Sequence, residues 1–192
     1  METKPQYIRG AIEEVTEDET FDVVIATEMK VLRRDYNFDK TDSRGYYYEQ
    51  LVCTHESVRQ ERLIQGLPLF DNHPYDYRAT LQLGKTQNIA FENNTITAKV
   101  KWGARADEAI KSDVKNKIVT GISAGYNRYK YEQVQEQGDD FPTRRYVDWE
   151  ILEISLAPVN ADPDSHTREA ECVNIEQEQS QPNIISQITS KF

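Results

Sequence analysis

The chain has 192 residues and a formal net charge of −10, with 33 acidic against 23 basic side chains. An acidic domain without a basic stripe is a poor ligand for nucleic acid, and no apolar run approaches the roughly 18 residues needed to span a membrane. An aromatic content of 10% argues against wholesale disorder, so we expect one domain with a real core.

The cysteines and the N-terminus point to a reducing, cytoplasmic setting. Cys53 and Cys172 lack the C-x-x-C spacing of a zinc site, and no metal or other cofactor is expected. The opening segment, Met1–Gln6, lacks the apolar core of a signal peptide.

Hydrophobic periodicity predicts about seven strands and two helices, with an extended apolar segment after the first helix. Residues 30–46 are charged and turn-rich and predict a loop, and the Gln- and Glu-rich stretch from Cys172 onward predicts a flexible tail. In chain order the elements are strand Tyr7–Ala11, strand Phe21–Thr27, strand Tyr46–Val52, helix Glu56–Gln65, extended Leu67–Phe70, strand Thr80–Gly84, strand Asn94–Trp102, helix Arg105–Lys117, strand Lys117–Tyr131 and strand Arg144–Val159.

The order of these elements predicts the fold class. There is little alternation of strand, helix and strand, which disfavours a parallel sheet. We therefore expect a mostly β (α+β) fold, in which a mostly antiparallel sheet closes into a β-barrel and the helices pack outside it.

The strand around Ser123 has an unusual composition. Ser123 lies between Gly121 and Gly125, on the side of the strand opposite the bulky face that carries Ile118, Ile122 and Tyr126. Glycine in a strand often marks close approach by a ligand or another chain. The pattern G-x-S-x-G also occurs in the nucleophile elbow of α/β-hydrolases, but that elbow needs a helix after the turn, and here the strand pattern continues.

Three side chains form a candidate catalytic group: His73 after an apolar segment, Ser123 on its bare strand face, and Glu153 in a late strand. A serine hydroxyl needs a base within hydrogen-bond reach, and histidine suits that role. A carboxylate on the far ring nitrogen fixes the tautomer of the base. Each residue also has an ordinary interpretation: a histidine at a strand end is usually a loop residue, a serine between glycines can mark a bulged or bent strand, and a strand glutamate is usually solvated.

Alternatives remain open for two of these roles. His166, in a polar loop, is a rival base, whereas His55 begins a helix and is expected to cap it or to be solvated. Glu150 is a less suitable carboxylate because it shares a side with Leu152 and Ile154, whereas Glu153 is expected on the other side with Trp149, Ile151 and Ser155.

Three sequence blocks, which cover roughly residues 50–165, form a recognisable set. They are Leu69-Phe70-Asp71-Asn72-His73 followed by Leu83-Gly84-Lys85-Thr86, then Ile118-Val119-Thr120-Gly121-Ile122-Ser123-Ala124-Gly125-Tyr126 after a helix, and Leu152-Glu153-Ile154-Ser155-Leu156-Ala157-Pro158-Val159-Asn160-Ala161-Asp162-Pro163. In this order the blocks resemble the prohead (capsid maturation) proteases of tailed phages, which are related in fold to the herpesvirus assemblin proteases.

This resemblance implies a serine endopeptidase with His73 as general base, Ser123 as nucleophile and Glu153 as third member. It implies a closed β-barrel with outer helices, spanning residues 1–170, and a C-terminal tail or linker to scaffold at 171–192. The implied substrates are scaffold protein, the N-terminal segments of the major capsid protein and the chain itself, inside the immature prohead in the host cytoplasm. A homodimer follows by analogy with the herpesvirus relatives, and neither nucleic acid nor membrane is an expected partner.

The resemblance does not fix the donors that would stabilise an oxyanion. Arg168, Arg144, Arg145 and a pair of backbone N–H groups all stay open. Two rival functions also stay open: a non-catalytic capsid assembly or scaffold protein on the same barrel, and a small esterase or amidase that uses Ser123, Glu153 and His166.

Overall fold

The structure, a computed structural model, describes residues 6–15, 20–34, 45–74 and 76–157. This part of the chain forms one sheet of nine strands, two short helices and a 3-10 turn at Ala79–Leu81. The strands are β1 (Gln6–Val15), β2 (Thr20–Thr27), β3 (Val31–Arg34), β4 (Tyr46–Leu51), β5 (Pro68–Asp71), β6 (Gln82–Glu92), β7 (Thr95–Trp102), β8 (Gly121–Val134) and β9 (Thr143–Ala157), and the helices are α1 (Glu61–Gln65) and α2 (Glu108–Lys115).

The strands are ordered β3-β4-β9-β5-β6-β7-β2-β1-β8, and β8 also pairs with β9 in a long hairpin. Most pairings are antiparallel, but β9 pairs in parallel with β4 through its first half and with β5 through its second half. The long strand β9 therefore joins two parts of the sheet that are distant in sequence.

The predicted closed antiparallel barrel with outer helices is wrong, although the prediction of a mostly β fold is confirmed. The sheet is an open, strongly curled half-barrel with few helices. Among the described strands β3 has β4 as its one neighbour, so β3 is an edge strand. Closure depends on strand tilt and register, which a period-two pattern in the sequence does not encode.

The concave side of the sheet holds the hydrophobic core. Its fully buried members include Phe21 and Ile96 together with Ile122, Trp149 and Ile154. We call the opposite side the outer face. Because neighbouring residues of a strand point to opposite sides, the outer face carries Phe70, Lys85, Lys101, Ser123 and Ser155.

Both predicted helices exist but are shorter than expected. In place of the first turns of the first helix, the Thr54 hydroxyl accepts a hydrogen bond from the Ser57 N–H, and α1 begins only at Glu61. Gly66 ends it with a φ of 80°, as the sequence indicated. The second helix, α2, begins after Asp107, whose side chain accepts from the Ile110 N–H.

Three further predictions need correction. Residues 31–34 of the predicted loop form β3, which pairs with β4, because Val31 and Leu32 suffice for a short edge strand among charges. β6 extends to Glu92 instead of ending at Gly84. β8 begins only at Gly121, and Ile118, predicted to share its buried side, is 69% exposed.

The predicted tail, His166, Arg168 and Cys172 lie outside the described residues. None of the helices in the described part of the chain combines the length and apolar character required to cross a bilayer.

Candidate active site

Ser123 lies in the middle of the sheet, where strands flank it on both sides. Its partners are Arg9 on β1 and Ser155 on β9. Ile122 and Ala124 point into the core, so Ser123 faces outward, as the alternation predicted. Its side is nevertheless well covered, since the residue is only 5% exposed. The strand continues to Val134, which confirms that this is not an α/β-hydrolase elbow.

Glu153 reaches the same face through a β-bulge in β9. The register skips Leu152, because Gly125 pairs with Glu153 and Tyr126 pairs with Ile151. Ile151 and Ile154 both lie in the core, so the extra residue reverses the alternation between them. The prediction that Trp149 and Ile151 share a side with Glu153 is therefore wrong, although Glu153 and Ser155 do share one.

His73 lies just after β5, which is the third strand to contribute to the site. β5 ends at Asp71, and Asn72 then turns the chain with a φ of 67°, in the left-handed region that asparagine tolerates. The Asn72 side chain accepts a hydrogen bond from the His73 N–H at 2.9 Å, which stabilises the turn. Because β5 runs parallel beside β9, this turn carries the imidazole to Glu153.

The three predicted residues meet. His73 Nδ1 lies 2.8 Å from Glu153 Oε1, and His73 Nε2 lies 2.8 Å from Ser123 Oγ. A carboxylate can only accept, so Nδ1 donates to Glu153 and the neutral ring leaves Nε2 to accept from the Ser123 hydroxyl. This is the arrangement in which the ring can take the serine proton.

Two further residues, to which sequence reasoning gave no role, position the carboxylate. Glu153 is fully buried, and its other oxygen accepts a hydrogen bond of 2.6 Å from the Ser155 hydroxyl. Gly125 lies directly opposite, and a Cβ at that position would stand 2.4 Å from Glu153 Oε1. The glycine therefore provides the space that the carboxylate occupies. Strand alternation could have indicated both residues. Gly125 lies two positions from Ser123 and Ser155 lies two positions from Glu153, so each points to the same side of its strand as a site residue.

The other described residues that the sequence offered for these roles lie elsewhere in the fold. Glu150 pairs with Arg62 and accepts from Tyr129 at the surface. His55 is exposed, with its ring against Phe91. Arg145, like its neighbour Arg144, is at the far end of β9, roughly 30 Å from Ser155 by the rise of a strand. Neither arginine can stabilise an oxyanion at Ser123.

No group of three or more His, Cys, Asp or Glu side chains in the described ranges could hold a metal ion. The described site offers a hydroxyl, an imidazole that bonds to it, and a buried carboxylate that orients the imidazole. Such a group can transfer an acyl group through a covalent intermediate on Ser123.

Comparison with known proteins does not assign the chain to a family. No family model, curated protein or solved structure matches the chain.

Proposed function

We propose that the chain is a serine endopeptidase, with Ser123 as nucleophile, His73 as general base and Glu153 as the carboxylate that orients the base. The observation that carries the proposal is the pair of 2.8 Å contacts that His73 makes with Ser123 and with Glu153. In the first step the Ser123 oxygen attacks a carbonyl carbon while His73 takes the hydroxyl proton. His73 then returns that proton to the departing amine, and water releases the acyl group by the same route.

The proposed biological role is capsid maturation. The three sequence blocks that resemble prohead proteases support it, since they contain the three residues that the fold brings together. The substrates would be scaffold protein, the N-terminal segments of the major capsid protein and the chain itself, inside the immature prohead in the bacterial cytoplasm.

The geometry favours this proposal over both rival functions. A non-catalytic assembly protein needs no contact between His73 and Ser123, yet these side chains lie within hydrogen-bond distance. In the esterase alternative His166 would be the base, but His73 already occupies the place between Ser123 and Glu153.

The direct test is covalent labelling together with cleavage. A fluorophosphonate probe should label Ser123 of the wild-type chain, as located by peptide mass spectrometry. Ser123→Ala should fold normally and lower cleavage of co-expressed capsid protein by roughly a thousandfold or more, because it removes the nucleophile. Ser112→Ala, which changes a serine of α2, is the matched control and should cleave at the wild-type rate. Wild-type cleavage by Ser123→Ala would show that the assigned nucleophile is wrong.

A further inference from the structure

A cleft of about 540 Å³ lies beside β6 and β7, away from the site. Three cationic residues line it: Lys85 on β6, Lys101 on β7 and Arg105 in the turn that follows β7. Gln82 and Trp102 also line it, and no carboxylate-bearing residue does among those described. In a chain with ten more acidic than basic side chains, this local excess of positive charge is unusual.

The charges of the cleft are unbalanced within the described part of the protein. Lys85 and Lys101 are direct cross-strand partners, an arrangement in which like charges destabilise a sheet. Neither forms an ion pair with a described residue, nor does Arg105. Lys99, two residues earlier on the same strand and the same face, instead pairs with Asp22 at 2.9 Å. Lys85, Lys101 and Arg105 are therefore available to an external anion, whereas the charge of Lys99 is already balanced by Asp22.

The cleft and the serine share the outer face. In the sheet, Ser123 pairs with Ser155, Ser155 with Phe70, and Phe70 with Gln82 of the cleft. At about 4.8 Å between strands, Gln82 is roughly 15 Å from Ser123, and the lysines are roughly 15 to 20 Å away. An extended peptide covers about 3.3 Å per residue, so the direct distance corresponds to roughly four to six residues. This count is a minimum, because Ser155 and Phe70 on the direct line are buried.

We propose that this cleft binds an acidic side chain of an extended peptide substrate, four to six residues from the bond that Ser123 attacks. The inference rests on the proposed function, because it treats Ser123 as the nucleophile. An acidic peptide fits better than nucleic acid, since the net charge of −10 repels a long polyphosphate while a short cleft can accept one or two carboxylates.

Binding can be tested apart from catalysis. In the full chain with Ser123→Ala, fluorescein-labelled hexaglutamate should bind at low salt, as measured by anisotropy, and hexaglutamine should not. Adding Lys101→Gln should weaken the binding about fivefold, as expected for one partly exposed charge. The matched control, Lys99→Gln, removes the same charge from the same strand and should change the binding less than twofold.

Cleavage provides the second measurement. With intact Ser123, cleavage sites in a proteome-derived peptide mixture should show Asp or Glu enriched four to six residues from the cut bond. Lys101→Gln should abolish the enrichment, whereas Lys99→Gln should leave both the enrichment and the cleavage rate of uncharged peptides unchanged.

The outcomes separate the two proposals. Equal weakening by Lys101→Gln and Lys99→Gln, tighter binding of a labelled hexathymidine oligonucleotide, or cleavage without an acidic preference would overturn the cleft alone. Hexaglutamate binding without any cleavage that depends on Ser123 would instead remove the proposed function, and the substrate role of the cleft with it.

Discussion

At the scale of single residues, the site depends on a missing side chain as much as on those present. Gly125 faces Glu153 across the β8–β9 pair, and the carboxylate fills the space where a Cβ would stand. The pattern G-x-S-x-G therefore has a local reason here that differs from the turn of a hydrolase elbow. Gly125 lies opposite Glu153, the residue that hydrogen-bonds to His73.

Gly125→Ala should lower the reactivity of Ser123 without changing any of the three side chains of the proposed catalytic group. The new methyl group would displace the Glu153 carboxylate, whose Cγ and Cδ also lie within 3.2 Å of it. We expect fluorophosphonate labelling to slow by roughly a hundredfold, since an error of about 1 Å in position costs that much, and stability to fall by about 1–3 kcal/mol. Labelling rates and urea unfolding would measure the two effects.

The double variant Gly125→Ala/Glu153→Asp tests whether the clash between the new methyl group and the carboxylate causes the loss of stability. Shortening the acid should relieve the clash and restore part of the stability without restoring the labelling rate. Labelling of Gly125→Ala at the wild-type rate would contradict the role of the glycine as space for the carboxylate.

At the scale of elements, the sequence predicted which segments form strands better than it predicted how those strands pair and in which register. Ser123 could be assigned to the outer face because its strand alternates without interruption. The assignment of Trp149 and Ile151 failed because Leu152 forms a bulge, and a bulge is set by the partner strand rather than by local composition. Likewise the sequence did not predict strand β3, because its local composition is that of a charged loop and its strand conformation depends on pairing with β4.

The start of α2 offers a prediction at this scale. The Asp107 side chain satisfies the Ile110 N–H, which no backbone carbonyl of the helix can reach. Asp107→Ala should therefore lower the free energy of unfolding by about 1 kcal/mol, as measured by urea denaturation. Asp113→Ala removes the same group from inside the helix and should have no such cost. Equal losses in both variants would show that the cap contributes nothing specific.

At the scale of the whole molecule, the far half of the β8–β9 hairpin is held by a buried polar cluster. Glu49, only 1% exposed, accepts hydrogen bonds from Tyr126, Arg33 and Arg128. Burial, with the Glu49 carboxylate adding to it, raises the pKa of Tyr126 well above the usual value for tyrosine. Burial likewise raises the pKa of Tyr146.

These tyrosines predict a loss of stability at alkaline pH. A group whose pKa is raised on folding contributes stability that is complete below its unfolded pKa, about 10 for tyrosine, and that falls as pH rises further. The free energy of unfolding, measured in urea, should therefore be lower at pH 11 than at pH 8.5. Tyr146→Phe should reduce this difference, and an unchanged difference in that variant would contradict the assignment to Tyr146.

The openness of the sheet could not have been read from the sequence. The strand count was nearly right, but parallel pairing of β9 with β4 and β5 depends on contacts between residues far apart in the chain. The residues alone limited the candidate site to Ser123, Glu153 and one of two histidines, whereas the choice of His73 over His166 came from the resemblance of three sequence blocks to prohead proteases.

The parallel pairing of β5 with β9 completes the candidate site. Ser123 and Glu153 belong to one hairpin, whereas His73 is placed by the docking of β5, through partners such as Leu69 and Ile154. If Ser123 is the nucleophile, a chain whose β5 is not docked on β9 has the hydroxyl but no base beside it. The proposed cleavage would therefore require the long-range pairing of β5 with β9.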